Sequence, residues 1–81
     1  MAFAEVTLTT SYALITSEAA YTAQNVSSGV AELLFAGSPP AGTDKGLLVQ
    51  SYNGVDDSMG TGSLYGRTIN ATDTVVIVVS T

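Results

Sequence analysis

The stretch Ala20–Gly46, AYTAQNVSSGVAELLFAGSPPAGTDKG, governs how the rest of the chain is read. Val30–Ala36 is the densest apolar segment of the first half, with Leu34, Val30 and Glu32 on one face and Ala31, Leu33 and Phe35 on the other. Apolar residues on both faces of so short a run indicate a strand covered on two sides. Ser27-Ser28-Gly29 before it carries turn chemistry. Upstream, Tyr21, Ala23 and Asn25 alternate with Thr22 and Gln24, so Ala19–Gln24 reads as a strand, with a short helix started by the alanines after Ser17 as the other reading. The whole stretch is therefore expected to be two strands joined by a tight turn. Glu32 is expected at the rim or in solvent. Gly37–Gly46 follows as a surface loop held by its own backbone, because Pro39-Pro40 fixes two φ angles and glycines release the chain at either end.

Other segments repeat the pattern. In Glu5–Thr10, Val6 and Leu8 share one face and Thr7 and Thr9 the other, as in a half-buried strand. Met1–Ala4 before it is expected to be a flexible arm. Tyr12–Thr16, Leu47–Tyr52, Ser63–Ile69 and Thr74–Ser80 read as further strands. Asn53-Gly54 and Asn70–Asp73 supply turns between them, and Asn53–Gly62 is a polar connection. The unbroken run Val75–Val79 implies burial on both faces, one of them against a subunit or a host surface. The expected fold is all-β: one antiparallel β-sandwich or β-barrel domain over residues 1–81, with about six to seven short strands.

Composition narrows the function. Eighty-one residues give room for one small core, and chains of this size usually draw on disulfides, a metal or oligomerisation. Cysteine and histidine are both absent, which leaves association as the remaining aid. Charged residues make up 11% of the chain, against about 25% in ordinary soluble domains. Net charge is −5, with Lys45 and Arg67 the only cations. Two scattered cations suit neither nucleic acid nor an anionic membrane. MAFAEVTLTT has neither a basic segment nor a continuous apolar one, so cytosolic synthesis is expected.

No constellation points to catalysis. Hydroxyls abound, but without His, Cys or a placed Lys nothing activates one as a nucleophile. Asp56-Asp57 matches no calcium loop, and Gly60-Thr61-Gly62-Ser63 lacks the lysine and helix of a phosphate-binding loop, leaving a strand-entry turn. No catalytic residue, cofactor or metal ligand is assigned. The sequons Asn25-Val26-Ser27 and Asn70-Ala71-Thr72 carry no weight without a secretory signal. Tyr12, Tyr21, Tyr52 and Tyr65 are expected as core or interface anchors, with sugar stacking the other use of such rings. Arg67, on one face with Tyr65, is the candidate for an intersubunit ion pair with one of the seven acids, a lone exposed arginine being the other reading.

Several pieces in order carry a resemblance. They are Gln24–Gly29 with the apolar strand after it, Ala36–Leu48 (AGSPPAGTDKGLL), Gly62–Arg67 (GSLYGR) and the valine-rich last strand. In this order the chain resembles small structural proteins of tailed-bacteriophage particles, above all head decoration (cement) proteins. That resemblance implies a self-associating β domain, often a trimer, on the outer surface of the virion shell, made in the bacterial cytoplasm and bridging major capsid protein subunits. Tail or neck adaptors and fibre-base proteins use the same parts, and a host-glycan binding module is the alternative from another class. Candidate contacts with the shell or between subunits are Ala2, Phe3, Ala4, Glu5, Val6, Pro39 and Pro40, since arms and stiff loops reach a partner at modest ordering cost, together with Tyr65 and Arg67.

Overall fold

A computed structural model describes residues 3–81. Eight strands form: β1 (Phe3–Leu8), β2 (Ala13–Thr16), β3 (Thr22–Asn25), β4 (Ala31–Ala36), β5 (Leu47–Val49), β6 (Gly54–Asp56), β7 (Ser63–Thr68) and β8 (Val75–Ser80). A single 3-10 turn, Asp57–Met59, lies between β6 and β7. The strands make two antiparallel four-stranded sheets, sheet A in the order β1-β8-β3-β6 and sheet B in the order β2-β7-β4-β5. The molecule is an all-β sandwich, as its alternating segments predict.

The ladders follow one rule. β1 pairs with β8, β2 with β7, β3 with β6 and β4 with β5, which is the pairing of one long hairpin folded at the β4–β5 loop. Rolling that hairpin adds the β3–β8 and β4–β7 ladders, which close the two sheets. The result is jelly-roll topology. Every connection except β4–β5 therefore crosses from one sheet to the other. This corrects the expectation of a hairpin over Ala20–Gly46, because β3 belongs to sheet A and β4 to sheet B. Ser27-Ser28-Gly29 is a crossover between layers.

Side-chain alternation decides what lies between the layers. Val75, Ile77 and Val79 of β8 point inward with Leu8, Ala23 and Val55, and meet Ala31, Leu33, Val49 and Leu64 of sheet B. Tyr21 and Ile15 complete the buried cluster. On the inner side of β7, a Cβ on Gly66 would stand 2.6 Å from Ile15 Cδ1 and 2.7 Å from Leu33 Cδ2. Only the absence of a side chain lets those two pack over the strand.

The outer side of β8 is left partly open within this chain. Val76 and Val78 are half-buried rather than sealed. Their register neighbours are Thr7, Glu5 and Gln24, side chains that cover apolar flanks while keeping polar tips in water. The expected flexible arm is also partly strand, since Phe3 pairs with Ser80 and Ala4 with Val79. Ala2 lies outside the described residues. The polar segment Asn53–Gly62 contains β6, an edge strand too short to show periodicity. The accessible surface, 4612 Å², is close to the roughly 4,500 Å² of a folded monomer of this mass.

Asn25 joins the layers. Its side chain is fully buried, and its Nδ2 donates to Gly29 O (2.8 Å) in the crossover and to Val49 O (3.0 Å) at the end of β5. Its Oδ1 accepts from Ser27 N (3.0 Å) and Ser27 Oγ (2.6 Å), so the amide's full hydrogen-bonding capacity is used. Its backbone accepts from Tyr52 N (2.7 Å) and donates to Asn53 O (2.9 Å). Tyr52 is the one non-glycine residue at positive φ (63°) among those described, and Gln24 Nε2 holds its carbonyl at 3.0 Å. The turn falls at Gln50–Asn53, two residues earlier than Asn53-Gly54 as its central pair suggests.

Asn25→Ala strands the Gly29 and Val49 carbonyls in the interior. It is expected to lower unfolding stability by roughly 2–4 kcal/mol, read as a shift of the urea midpoint at unchanged slope.

Candidate interaction surface

The densest polar constellation lies on the outer face of sheet B. On that face β4 presents Glu32 and Leu34, β7 presents Tyr65 and Arg67, β2 presents Leu14, and β5 presents Leu48. Register sets Glu32 opposite Arg67 and Leu48, and Tyr65 between Leu14 and Leu34. β5 pairs only with the first half of β4. The 37–46 loop must therefore travel back from the end of β4 to a point opposite Leu33, and it does so across this face.

Arg67 holds it there. Its Nε donates to Glu32 Oε1 at 2.6 Å, its Nη1 to Gly42 O at 2.8 Å and its Nη2 to Asp44 O at 3.1 Å. The guanidinium carbon sits 4.2 Å from the centre of the Tyr12 ring, in cation–π geometry. Tyr12 Oη donates to the same Asp44 carbonyl (2.9 Å), and Gly46 N donates to Glu32 Oε2 (2.8 Å). Within the loop, Asp44 Oδ2 accepts from Ala41 N at 2.8 Å, and Asp44 N donates to Ala41 O at 3.0 Å. A Cβ on Gly46 would lie 2.4 Å from Leu33 O, so the loop re-enters the sheet through a gap that admits only glycine.

Three expectations are corrected here. Glu32 is buried at 8% exposure, because Arg67 and the Gly46 amide between them occupy both carboxylate oxygens. Arg67 finds its acid within its own chain rather than across a subunit boundary. The loop, too, is held by side chains of the sheet beneath it as well as by its own backbone.

The electrostatics follow from those contacts. The Gly46 amide, then Arg67, hold the Glu32 carboxyl below its ordinary range against the opposing effect of burial. Burial and the nearby Glu32 charge raise the Tyr12 phenol, so it stays protonated and donating at neutral pH. Arg67 is held charged by its bond to Glu32.

The candidate contact residues fall in two regions. Phe3, Ala4, Glu5 and Val6 line the β1 edge of sheet A, where Phe3 is 70% exposed and Val6 packs against the core. Pro39 and Pro40, exposed and half-buried respectively, lie in the loop whose Gly42 and Asp44 carbonyls Arg67 holds over sheet B. Tyr65 is largely covered at 8% exposure, while Leu14 opposite it and Leu48 opposite Glu32 are exposed. Tyr12 and Glu32 escaped the sequence reading as site residues. Alternation places Glu32 on the strand's outer face, but only register puts Arg67 opposite it.

Charge is distributed unevenly. Lys45 and Arg67 against Glu32 and Asp44 leave this face at zero, and the other five acids (Glu5, Glu18, Asp56, Asp57 and Asp73) account for the net −5. Among the described residues no group of three or more His, Cys, Asp or Glu side chains could hold a metal ion, and no helix is long and apolar enough to cross a membrane.

The fold and this surface define a class: a small jelly-roll domain with one charge-balanced, loop-braced sheet face. Compared with protein-family models, curated proteins and solved structures, the chain matches none.

Because the Glu32 carboxyl is lowered in the folded state, its stabilising effect is complete above the ordinary carboxylate range and is lost as pH falls through the folded value. Denaturant titrations at neutral pH and at about pH 3 are expected to show a larger loss for the wild type than for Glu32→Gln. Equal losses would remove Glu32 as the source. Arg67→Lys keeps the charge but not the fork geometry, and is expected to speed amide exchange at Asp44 and Gly46.

Proposed function

We propose that the chain is a non-enzymatic structural protein of a tailed-bacteriophage particle, a head decoration protein. It binds the outer surface of the shell through the outer face of sheet B, bridges major capsid subunits and self-associates, as a trimer in this reading. The observation that carries the proposal is the charge balance of that face beside the uncompensated −5 elsewhere. A neutral face edged by exposed Leu14 and Leu48 lies against protein without like-charge repulsion. The acidic remainder faces solvent, repels nucleic acid and limits further aggregation.

Further features support the reading. Jelly rolls serve as viral shell domains and as lectins, and the resemblance in sequence favours the first use. The braced Pro39-Pro40 loop meets a partner with little ordering left to do. Repetition over a shell lattice adds many weak contacts. For the glycan alternative, Tyr65 and Tyr21 are covered, and Tyr52 at 71% exposure is the single open ring among the tyrosines.

Copy number in purified particles, relative to the major shell protein, tests the proposal. Hundreds of copies in fixed ratio to the lattice are expected; a dozen or fewer would move the protein to tail or neck, and absence would end the virion reading. Leu14→Asp places a charge on the neutral face at a position 51% exposed and opposite Tyr65 rather than an acid. It is expected to leave the unfolding midpoint nearly unchanged and to abolish particle binding.

A further inference from the structure

Sheet A ends in β1, and this edge differs from the other three in the molecule. β5 and β6 are edges of three residues each, and β2 has four with a break in register between Leu14 and Thr16. Short length and irregular pairing are devices that keep a sheet edge from adding strands. β1 has neither. It runs six residues in unbroken register with β8, from Phe3 opposite Ser80 to Leu8 opposite Val75, and contains no proline, lysine or arginine. Alternate residues of such a strand turn their N–H and C=O groups away from the sheet. Among the described residues, no hydrogen bond outside the β1–β8 ladder involves residues 3–8.

A second feature lies beside this edge. Ala4 shares the inward face with Val6 and Leu8, yet it is exposed. There the two layers part in an opening of about 200 Å³, whose lining includes Ala4, Ile15 and Val79. We infer that β1 is a self-association edge: a second copy of this chain lays its own β1 antiparallel against it about a two-fold axis. The two A sheets, four strands each, then run on as one.

Length, register and charge select that occupant. An antiparallel edge is its own complement, and a six-residue strand matches its equal where β5 and β6 offer three residues. Opposed side chains share a face. Glu5, the one charge of the strand, therefore stands opposite Phe3, Glu5 or Thr7 of the copy. Opposite Glu5 it meets a like charge, which destabilises a ladder. Opposite Phe3, only residues 3–5 overlap. Opposite Thr7, Val6 meets Val6 on the axis, Ala4 meets Leu8, and residues 4–8 all pair. This register brings the second copy's Leu8 beside the exposed Ala4, at the opening between the layers. The outer face of sheet B stays free, so the inference does not rest on the virion reading. The trimer of that reading is a state on the particle, and this pair is one of free solution.

Sedimentation velocity of the full chain from about 10 µM to about 1 mM, a range suited to interfaces below standard size, is expected to show a monomer–dimer equilibrium. Amide-exchange protection within residues 3–8 is expected to rise with concentration. Thr7 is exposed, so charging it tests the register without entering the core. Each substitution sets its charge opposite Glu5 twice per pair. Thr7→Glu is expected to weaken dimerisation about three- to tenfold, and Thr7→Lys to strengthen it by a similar factor. Ser28→Glu and Ser28→Lys make the same charge changes at an exposed crossover position and are expected to leave it unaltered. A monomer throughout, a trimer, exchange at residues 3–8 independent of concentration, or Thr7 variants that behave like those at Ser28 would each overturn the assignment.

Discussion

The buried amide of Asn25 is the constraint on which the layered architecture rests. A jelly roll sends nearly every connection from one sheet to the other, so its crossovers must turn sharply while their backbone groups leave water. At one end of this molecule Asn25 serves two crossovers together: its side chain supplies the donors and acceptors that Gly29, Val49 and Ser27 lack, and its backbone bonds Tyr52 and Asn53. A buried amide left half-satisfied would destabilise the fold, whereas one with every group paired specifies a single register. The sequon match at this position is thus explained by structure: Asn25 is inaccessible and fully engaged.

The same local device recurs. Asn25-x-Ser27, Asp56-x-Ser58 and Asn70-x-Thr72 each place an Asx carboxyl or amide oxygen against the backbone N–H and the hydroxyl two residues on. Each stands where a strand ends or a turn begins. In a chain with few charges and no disulfide, short-range hydrogen bonds of this kind define where strands stop. The abundance of Ser and Thr, which in composition alone looks like a neutral surface, is partly turn chemistry.

The outer face of sheet B shows the opposite scale of organisation. Glu32, Arg67, Tyr12 and the 41–46 backbone come from four separate parts of the chain, and each satisfies groups the others leave open. The ion pair lies under the returning loop, which limits water and strengthens the charge-assisted bonds. Both of the chain's cations are drawn to this face, and their placement leaves the remaining surface uniformly acidic. Loop bracing and surface electrostatics are therefore one event here.

Much of this molecule was legible in its sequence because β-structure writes its faces at period two. Val6 and Leu8, Tyr21, Ala23 and Asn25, and Ala31, Leu33 and Phe35 all turn inward as their alternation indicates, and glycine, proline and Asx residues mark the turns. That information is local, since each side chain's face depends on its immediate neighbours. Which strand pairs with which is not local. The crossover at Ser27–Gly29, the half-exposed outer valines of β8, the short strand β6, the pairing of Phe3 and Ala4, and the meeting of Arg67 with Glu32 all depend on ladders between residues tens of positions apart. Any antiparallel register keeps apolar faces inward, so alternation alone cannot choose among them. The sequence by itself determined an all-β domain and its inward faces. Tertiary structure alone decided the roll, the buried amide that clamps it and the neutral face, because those arise where distant segments satisfy one another's hydrogen bonds and charges.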